Sequence, residues 1–423
     1  MIPPDQTLAL TATHESTAGN TFRLVPTPPV FVRGQGPHLF TADDTPYLDL
    51  VCGSATTNLG HGHPAHKAAI AKALTTGILH TGTRLPSPFR AALYDRLTKI
   101  MPSSLTRFQL LNSGAEAVEA AIKAAQFATG RQRLVAFDGG YHGRTSGALS
   151  LTSGNRIREP FHLFTDSIDI LPYPDGIVTI DVALNAARAL LEQRAAEGDL
   201  PALMLIEAVQ AISGLIMPDP SFLNSLSALC NQYDVPLGLD EIWNGIGRTG
   251  RWFSFESSGI TPDLVVIGKG LSAGLPLAAV AAGERFLGYW PSGMHTSTFQ
   301  GNPLACAMAV ATIDTIWAEK LLDHVEAIAT DLMTHLQPLV GRHGVSALRV
   351  VGAQAAIVFC DGDGQPDLAR SELIQRRMLL QHILVYGGGR EGECVMLVPP
   401  LNLSCKKLHE ALKQLVTQIE QTA

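Results

Sequence analysis

The sequence predicts an α/β protein whose mainly parallel central sheet is covered by helices on both faces, with a smaller α+β domain drawn from both ends of the chain. Two observations carry this. Between about residues 65 and 310, short apolar runs alternate with segments whose apolar residues recur every three or four positions. The runs RLVAFD (133–138), ALMLIEA (202–208), PLGLDE (236–241) and DLVVIGKG (263–270) are continuous rather than alternating, as strands buried on both faces require. After about residue 310 this rhythm stops.

The elements follow in chain order. The first forty or so residues read as irregular, rich in Thr and Pro, and HLFTADDTPYLDL then reads as two short strands around a DDTP turn, an edge hairpin leading into the fold. Val118, Ile122 and Ala125 mark one helical face, and Phe222, Leu226, Leu229 and Tyr233 another. Leu321, Val325, Ile328, Leu332 and Leu336 form the stripe of a long helix. The strands AIVFC and CVMLVPP and a terminal helix complete the chain, with QPLVGRHGVS (337–346) as a loop inside that unit. No repeat or low-complexity tract interrupts the pattern. The expected division is 1–65 and 311–423 as the small domain and 66–310 as the large one.

The 423 residues are 46% hydrophobic and 16% charged, enough to bury a large core. A net charge of -7 supplies no basic field for nucleic acid or anionic lipid, which points to a small-molecule partner. The N-terminal MIPPDQTLALTATHEST lacks the charged start and apolar centre of a signal peptide, and no run reaches spanning length, so the cytoplasm is the expected location. Six scattered cysteines without a CxxC pair read as reduced thiols, with neither disulfides nor a zinc site expected. NLGHGHP (58–64) offers His61 and His63, but no carboxylate or cysteine stands at ligand spacing, so a glycine-rich turn is the better reading and no metal is expected.

In a parallel sheet, ligands collect beyond the carboxyl ends of the strands. Three strands here end in ionisable residues: Glu207, Asp240 with Glu241, and Lys269. A strand-ending carboxylate is often only a cap or a solvated edge. Lys269, however, follows an apolar run and stands between two glycines, where burial favours the neutral, nucleophilic amine and a flat ring can approach the backbone. If that ring is a pyridoxal, its nitrogen needs a buried carboxylate to stay protonated, and Asp240 is the candidate. Ser113, Gly114 and Ala115 open a strongly helical run, so they suit a phosphate, although a serine there is also an ordinary N-cap. Tyr141 could stack on a ring and Arg144 could grip a carboxylate. GIGRTG (245–250) is too weak a fingerprint to argue a dinucleotide.

These motifs, taken in order, resemble the class III pyridoxal-phosphate aminotransferases, the ω-aminotransferase group that includes 4-aminobutyrate, ornithine, acetylornithine and diaminobutyrate enzymes. The resemblance runs through YLDLVCG, NLGHGHP, NSGAEAVEAAIKAA, FDGGYHGRTSGALS, IEAVQ, LDEIWNGIGRTG, PDLVVIGKGLSAGLPL, STFQGNPLACA and VPPL. It implies the type I fold of pyridoxal-phosphate transferases. Residue by residue, it implies that Lys269 forms the Schiff base with pyridoxal 5'-phosphate and that Asp240 partners the pyridine nitrogen. It implies that Ser113, Gly114 and Ala115 cradle the phosphate, that Tyr141 stacks on the ring beside His142, and that Gln210 meets the ring hydroxyl. Thr298 would reach the phosphate of a neighbouring subunit, implying a homodimer with shared active sites. Arg144 would bind the α-carboxylate of 2-oxoglutarate or glutamate, and Glu207 would lie near substrate.

Departures from the family bear on specificity. Ala208 and Ala211 replace the usual proline and glycine, and Met396 stands in VMLVPP where many members carry an arginine that can pair with the glutamate. Without that arginine, unless Arg390 substitutes for it, Glu207 could accept the distal ammonium of a diamine or basic amino acid. The expected reaction is a ping-pong transfer of an amino group to a keto acid, with Lys269 as the proton carrier. Racemisation, internal amino migration or decarboxylation on the same scaffold is the alternative.

Overall fold

The computed structural model describes residues 2–422 except 154, 159, 162, 164 and 165, together with all side chains in that range other than those of 155 and 156. The chain forms two compact units, residues 65–325, and residues 1–64 with 326–423.

The large unit is built on seven strands: β1 (Arg107–Leu111), β2 (Leu134–Phe137), β3 (Ile168–Leu171), β4 (Leu203–Ile206), β5 (Leu237–Asp240), β6 (Leu264–Ile267) and β7 (Ala278–Ala282). Their order across the sheet is β1-β7-β6-β5-β4-β2-β3. Only β7 runs against its neighbours; the β6-β5, β5-β4, β4-β2 and β2-β3 pairs are all parallel. Every residue of β2, β4, β5, β6 and β7 is buried, which is why these strands show no polar face in the sequence.

Three of the seven strands escape the sequence reading. RFQLL (β1) and IDIL (β3) are short and partly exposed, while AAVAA (β7) is alanine, a residue depleted in strands, at every position but Val280. Alanine fits β7 because the alanine-rich helix Gly114–Thr129 packs directly over this part of the sheet, in a core where Ala117, Ala121, Ala278 and Val280 meet without bulk. That helix starts at Ser113, whose hydroxyl accepts the N–H of Glu116, and ends at Gly130 with φ 68° in the left-handed cap position.

Helix Pro220–Gln232 buries Phe222, Leu226 and Leu229 as expected, but Tyr233 sits in its C-terminal cap rather than on its apolar face. Helix Pro303–Ala318 is tied to its neighbours in the same unit by His66 Nε2 to Thr312 Oγ1 at 3.0 Å and by the Arg96–Asp314 ion pair. The change of unit accordingly comes later than residue 310, within helix Leu321–Leu336.

In the smaller unit the hairpin His38–Thr41/Pro46–Asp49 forms as read, but it is not an edge. Strand Phe31–Gln35 flanks one side and Ile383–Leu384 the other. Nor are the first forty residues wholly irregular: Pro4–His14 is a helix with Pro at its start and no buried residue, so local propensity rather than packing sustains it. A second sheet, in the order Val345–Val350, Ala355–Phe359, Cys394–Leu397, Tyr386–Gly388, is entirely antiparallel. Met396 is buried in its third strand, opposite Ala356 and Tyr386. His61 donates or accepts at Asp49 Oδ2 over 2.7 Å, so one ring of the GHGH turn serves the local fold. Among the described residues no helix is long and apolar enough to cross a membrane, and no group of three or more His, Cys, Asp or Glu is placed to hold a metal ion.

Candidate active site

Strand register gathers the ionisable residues of the large unit at one edge. Asp240 pairs with Val266 across β5 and β6, so Lys269 follows three residues later on the same side. Leu239 pairs with Ile206, which puts Glu207 beside Asp240. All three leave the carboxyl ends of adjacent parallel strands, where this architecture leaves its ligand crevice.

Lys269 begins a short 3₁₀ turn, Lys269–Leu271, with φ of 40° in the left-handed region. Its amine lies 4.2 Å from the ring centroid of Trp243. Burial drives its pKa down from the usual lysine range to about 8, against the opposing pull of Asp240 and Glu207. Such an amine has a substantial neutral fraction near pH 8, as a lysine nucleophile needs.

Asp240 is 3% exposed. One oxygen accepts the Ile242 N–H at 3.0 Å, and the other is 2.7 Å from His142 Nδ1. Burial alone would lower the His142 pKa, yet the hydrogen bond and charge of Asp240, aided by Glu207, leave it raised. The imidazole thus sits against Asp240 and gives this buried carboxylate a polar partner. The sequence placed His142 with the cofactor; in the structure its contact is with Asp240.

The loop carrying His142 is stitched to the loop after β4. Tyr141 N donates to Glu207 Oε1 at 2.8 Å, Gln210 Nε2 to the Asp138 carbonyl at 2.7 Å and Ser213 Oγ to the Gly139 carbonyl at 2.6 Å. Glu207 Oε2 accepts Ala211 N at 3.3 Å, so both carboxylate oxygens hold backbone. Glu207 is 5% exposed, and burial pushes its pKa up to about 7 despite the countervailing charge of His142.

Ser113 makes the ordinary N-cap, accepting Glu116 N at 3.2 Å. The next two N–H groups, of Gly114 and Ala115, lie in the first turn, where no intrahelical acceptor exists. Close approach explains two glycines here. A Cβ on Gly114 would come within 2.7 Å of Ile242 Cδ1, and one on Gly143, at φ 137°, within 2.7 Å of Ala115 Cβ. Ile242 also borders Gly268, so one side chain touches both the helix start and the residue before Lys269.

Tyr141 is half-buried, and its hydroxyl accepts from Arg144 Nε at 3.2 Å, while the rest of Arg144 is exposed. Thr298 is exposed, its carbonyl accepting from His80 Nε2 at 2.6 Å. Ile242 and Trp243 were missed in the sequence; the available signal was their place immediately after the strand-ending Asp240–Glu241.

The donor set fits pyridoxal phosphate. Gln210 Oε1 is buried without a hydrogen-bond partner, an acceptor ready for a ring hydroxyl, since the amide nitrogen is already committed to Asp138. Two helix-start N–H groups and the helix dipole suit a phosphate, Asp240 suits a pyridinium and Lys269 an aldehyde. When bound, the cofactor supplies the electron sink for carbon–hydrogen bond cleavage next to nitrogen.

In cofactor-free protein, labelling of Lys269 by an acylating reagent, read by peptide mass spectrometry, should rise with pH about a midpoint near 8. The Asp240→Asn midpoint should be lower still, because the lost carboxylate favoured the ammonium. A midpoint above 10, as for a solvated lysine of roughly 10.4, would contradict this environment.

A sequence profile of the family Aminotransferase class-III matches residues 23–419. The acetylornithine aminotransferase of Methanopyrus kandleri is 33% identical, over 92% of this chain and 93% of that one. A diaminobutyrate–2-oxoglutarate aminotransferase of Rhizobium meliloti is 31% identical, over 89% and 85%. Among solved structures, an (S)-enantioselective ω-transaminase from Thermomicrobium roseum superposes with a TM-score of 0.89 at 26% identity, covering 99% of each chain. The fold agrees with these matches, and the chain belongs to the class III aminotransferases and is a pyridoxal-phosphate-dependent enzyme.

Proposed function

We propose that this aminotransferase takes the distal amine of an ω-amino or diamino acid and delivers it to 2-oxoglutarate, in the cytoplasm, as a homodimer. The observation that carries the reading is the pairing of a buried, partly deprotonated Lys269 with an exposed guanidinium, Arg144, tethered through Tyr141 on the neighbouring loop. A planar fork of donors suits the carboxylate of a keto acid. The acetylornithine and diaminobutyrate–2-oxoglutarate enzymes among its relatives favour the same substrate class.

Catalysis divides among this chain's own groups. Asp240, supported by His142, keeps a bound pyridine nitrogen protonated. The Lys269 amine, once free, can move a proton between neighbouring carbon atoms, since its pKa stands near working pH. Tyr141 would wall a bound ring and, through its hydroxyl, holds Arg144 Nε. Glu207 is assigned as the residue that locks the Tyr141 and Ala211 backbones, each of its oxygens holding one backbone donor, and its remaining lone pairs keep it able to accept a substrate ammonium as the family role expects.

A second copy is favoured by the surface beside Thr298. Leu79, Leu85, Met294 and Phe299 are between 54% and 65% exposed on two segments joined by the His80–Thr298 hydrogen bond. Such apolar side chains, clustered rather than scattered, suit an isologous contact.

Three outcomes follow. With a diamine donor, turnover should depend on a keto acid and favour 2-oxoglutarate over pyruvate, and Arg144→Ala should raise KM for 2-oxoglutarate roughly 10- to 100-fold, the worth of a charged hydrogen-bond pair; racemisation without acceptor or preference for pyruvate would refute the assignment. Glu207→Gln should weaken cofactor retention while leaving the ranking of donors unchanged, whereas a selective loss of diamine donors would establish its substrate role. Thr298→Ala should loosen pyridoxal phosphate by about tenfold or more, and refolding it with Lys269→Ala subunits should recover one tight site per mixed dimer, a recovery that intrachain binding could not produce.

A further inference from the structure

Trp243 is engaged with the catalytic lysine in a way that neither the family match nor the cofactor requires. Its indole is 5% exposed, and the Lys269 nitrogen lies 4.2 Å from its ring centroid. That separation is well inside the roughly 6 Å over which an aromatic face attracts a cation, and tryptophan offers the strongest such face. We infer that Trp243 is a positioning residue that docks the Lys269 ammonium whenever the lysine is not covalently engaged, holding it over one place in the site.

Both partners are anchored at their backbones. On the tryptophan side, Ile242 N donates to Asp240 Oδ1, Asn244 Nδ2 donates to the Val209 carbonyl at 2.7 Å and Gly245 N to the Glu241 carbonyl at 2.9 Å. On the lysine side, Leu271 N donates to the Gly268 carbonyl at 2.9 Å, closing the turn from which the side chain departs. A four-carbon stem with many rotamers therefore runs between two fixed points, and the aromatic face restricts where its charged end rests.

The chemical need is specific. Lys269 must be protonated at one moment and neutral at the next, yet stay within reach of the same carbon atoms. Burial opposes the ammonium, while Asp240 and Glu207 favour it. An aromatic face adds attraction for the cation without an acceptor lone pair, so it steadies the protonated form without competing for its proton. A carboxylate in the same place would hold the ammonium too firmly to release that proton.

The inference rests on Lys269 being the lysine that carries the cofactor, which borohydride reduction of the holoenzyme followed by peptide mapping tests separately. In cofactor-free protein, the Lys269 labelling midpoint should be lower by about one pH unit in Trp243→Leu, a tenfold shift in the amine's ionisation, and lower by a smaller amount in Trp243→Phe, which keeps a weaker aromatic face. In the holoenzyme, Trp243→Leu should lower kcat while leaving both KM values close to wild type. As a measurement independent of the leucine variant's folding, the fluorescence of cofactor-free wild type minus that of Trp243→Phe should titrate with the Lys269 midpoint and lose that titration in Lys269→Met. An unshifted midpoint in a folded Trp243→Leu protein, or a Trp243 signal that titrates identically without the lysine, would overturn the assignment.

Discussion

The hydrogen bond between the buried Asp240 carboxylate and His142 is the interaction on which much of the site depends. At 3% exposure the Asp240 oxygens need protein partners in place of water. His142 supplies one at 2.7 Å, and His142 in turn is fixed by its backbone N–H on Thr152 Oγ1 at 2.9 Å. Holding the imidazole there requires the loop 138–145 to lie flat across the helix start at Ala115, and only a glycine at 143 permits that approach. The hydrogen bond between two side chains thus dictates the path of a loop, and the loop carries Tyr141 and Arg144 into place.

The same economy of charge explains the directions in which the surrounding groups titrate. Asp240, Glu207 and Glu241 crowd the ends of two adjacent strands. Burial raises both glutamates to about 7, and their hydrogen bonds only partly offset it. Glu241 is spent on structure: it accepts from Ser254 Oγ, Ser254 N and Phe255 N, capping the 3₁₀ turn Ser254–Ser258. Glu207 is spent similarly on Tyr141 and Ala211. Of the three acids, Asp240 is the one whose hydrogen bonds among the described residues include an ionisable side chain, while the other two hold loops.

Lys269 draws on both neighbourhoods. Its amine is disfavoured as a cation by burial, favoured by the carboxylates and faced by an indole, so it rests near the point where either protonation state is accessible. A residue that exchanges a proton repeatedly is best placed at such a balance, and several weak, opposed effects set it more finely than one strong ion pair would.

The sequence by itself determined the strands that end in chemistry. β2, β4, β5 and β6 were legible because burial on both faces leaves a continuous apolar run, and Lys269, Asp240, Tyr141 and the Ser113–Ala115 helix start were legible because charge, glycine and capping residues stand at the ends of such runs. It did not reveal β7, whose alanines are set by the helix above them, nor the interior position of the 38–49 hairpin, whose flanking strands come from residues 31–35 and 383–384. Nor could it assign His142, Glu207 or Trp243 their partners. Those assignments depend on strand register and on loops meeting across large sequence separations, and register is fixed only when the whole sheet closes around its core. Local pattern records what a residue's own element needs; which buried charge it answers is decided by the neighbours that folding brings to it.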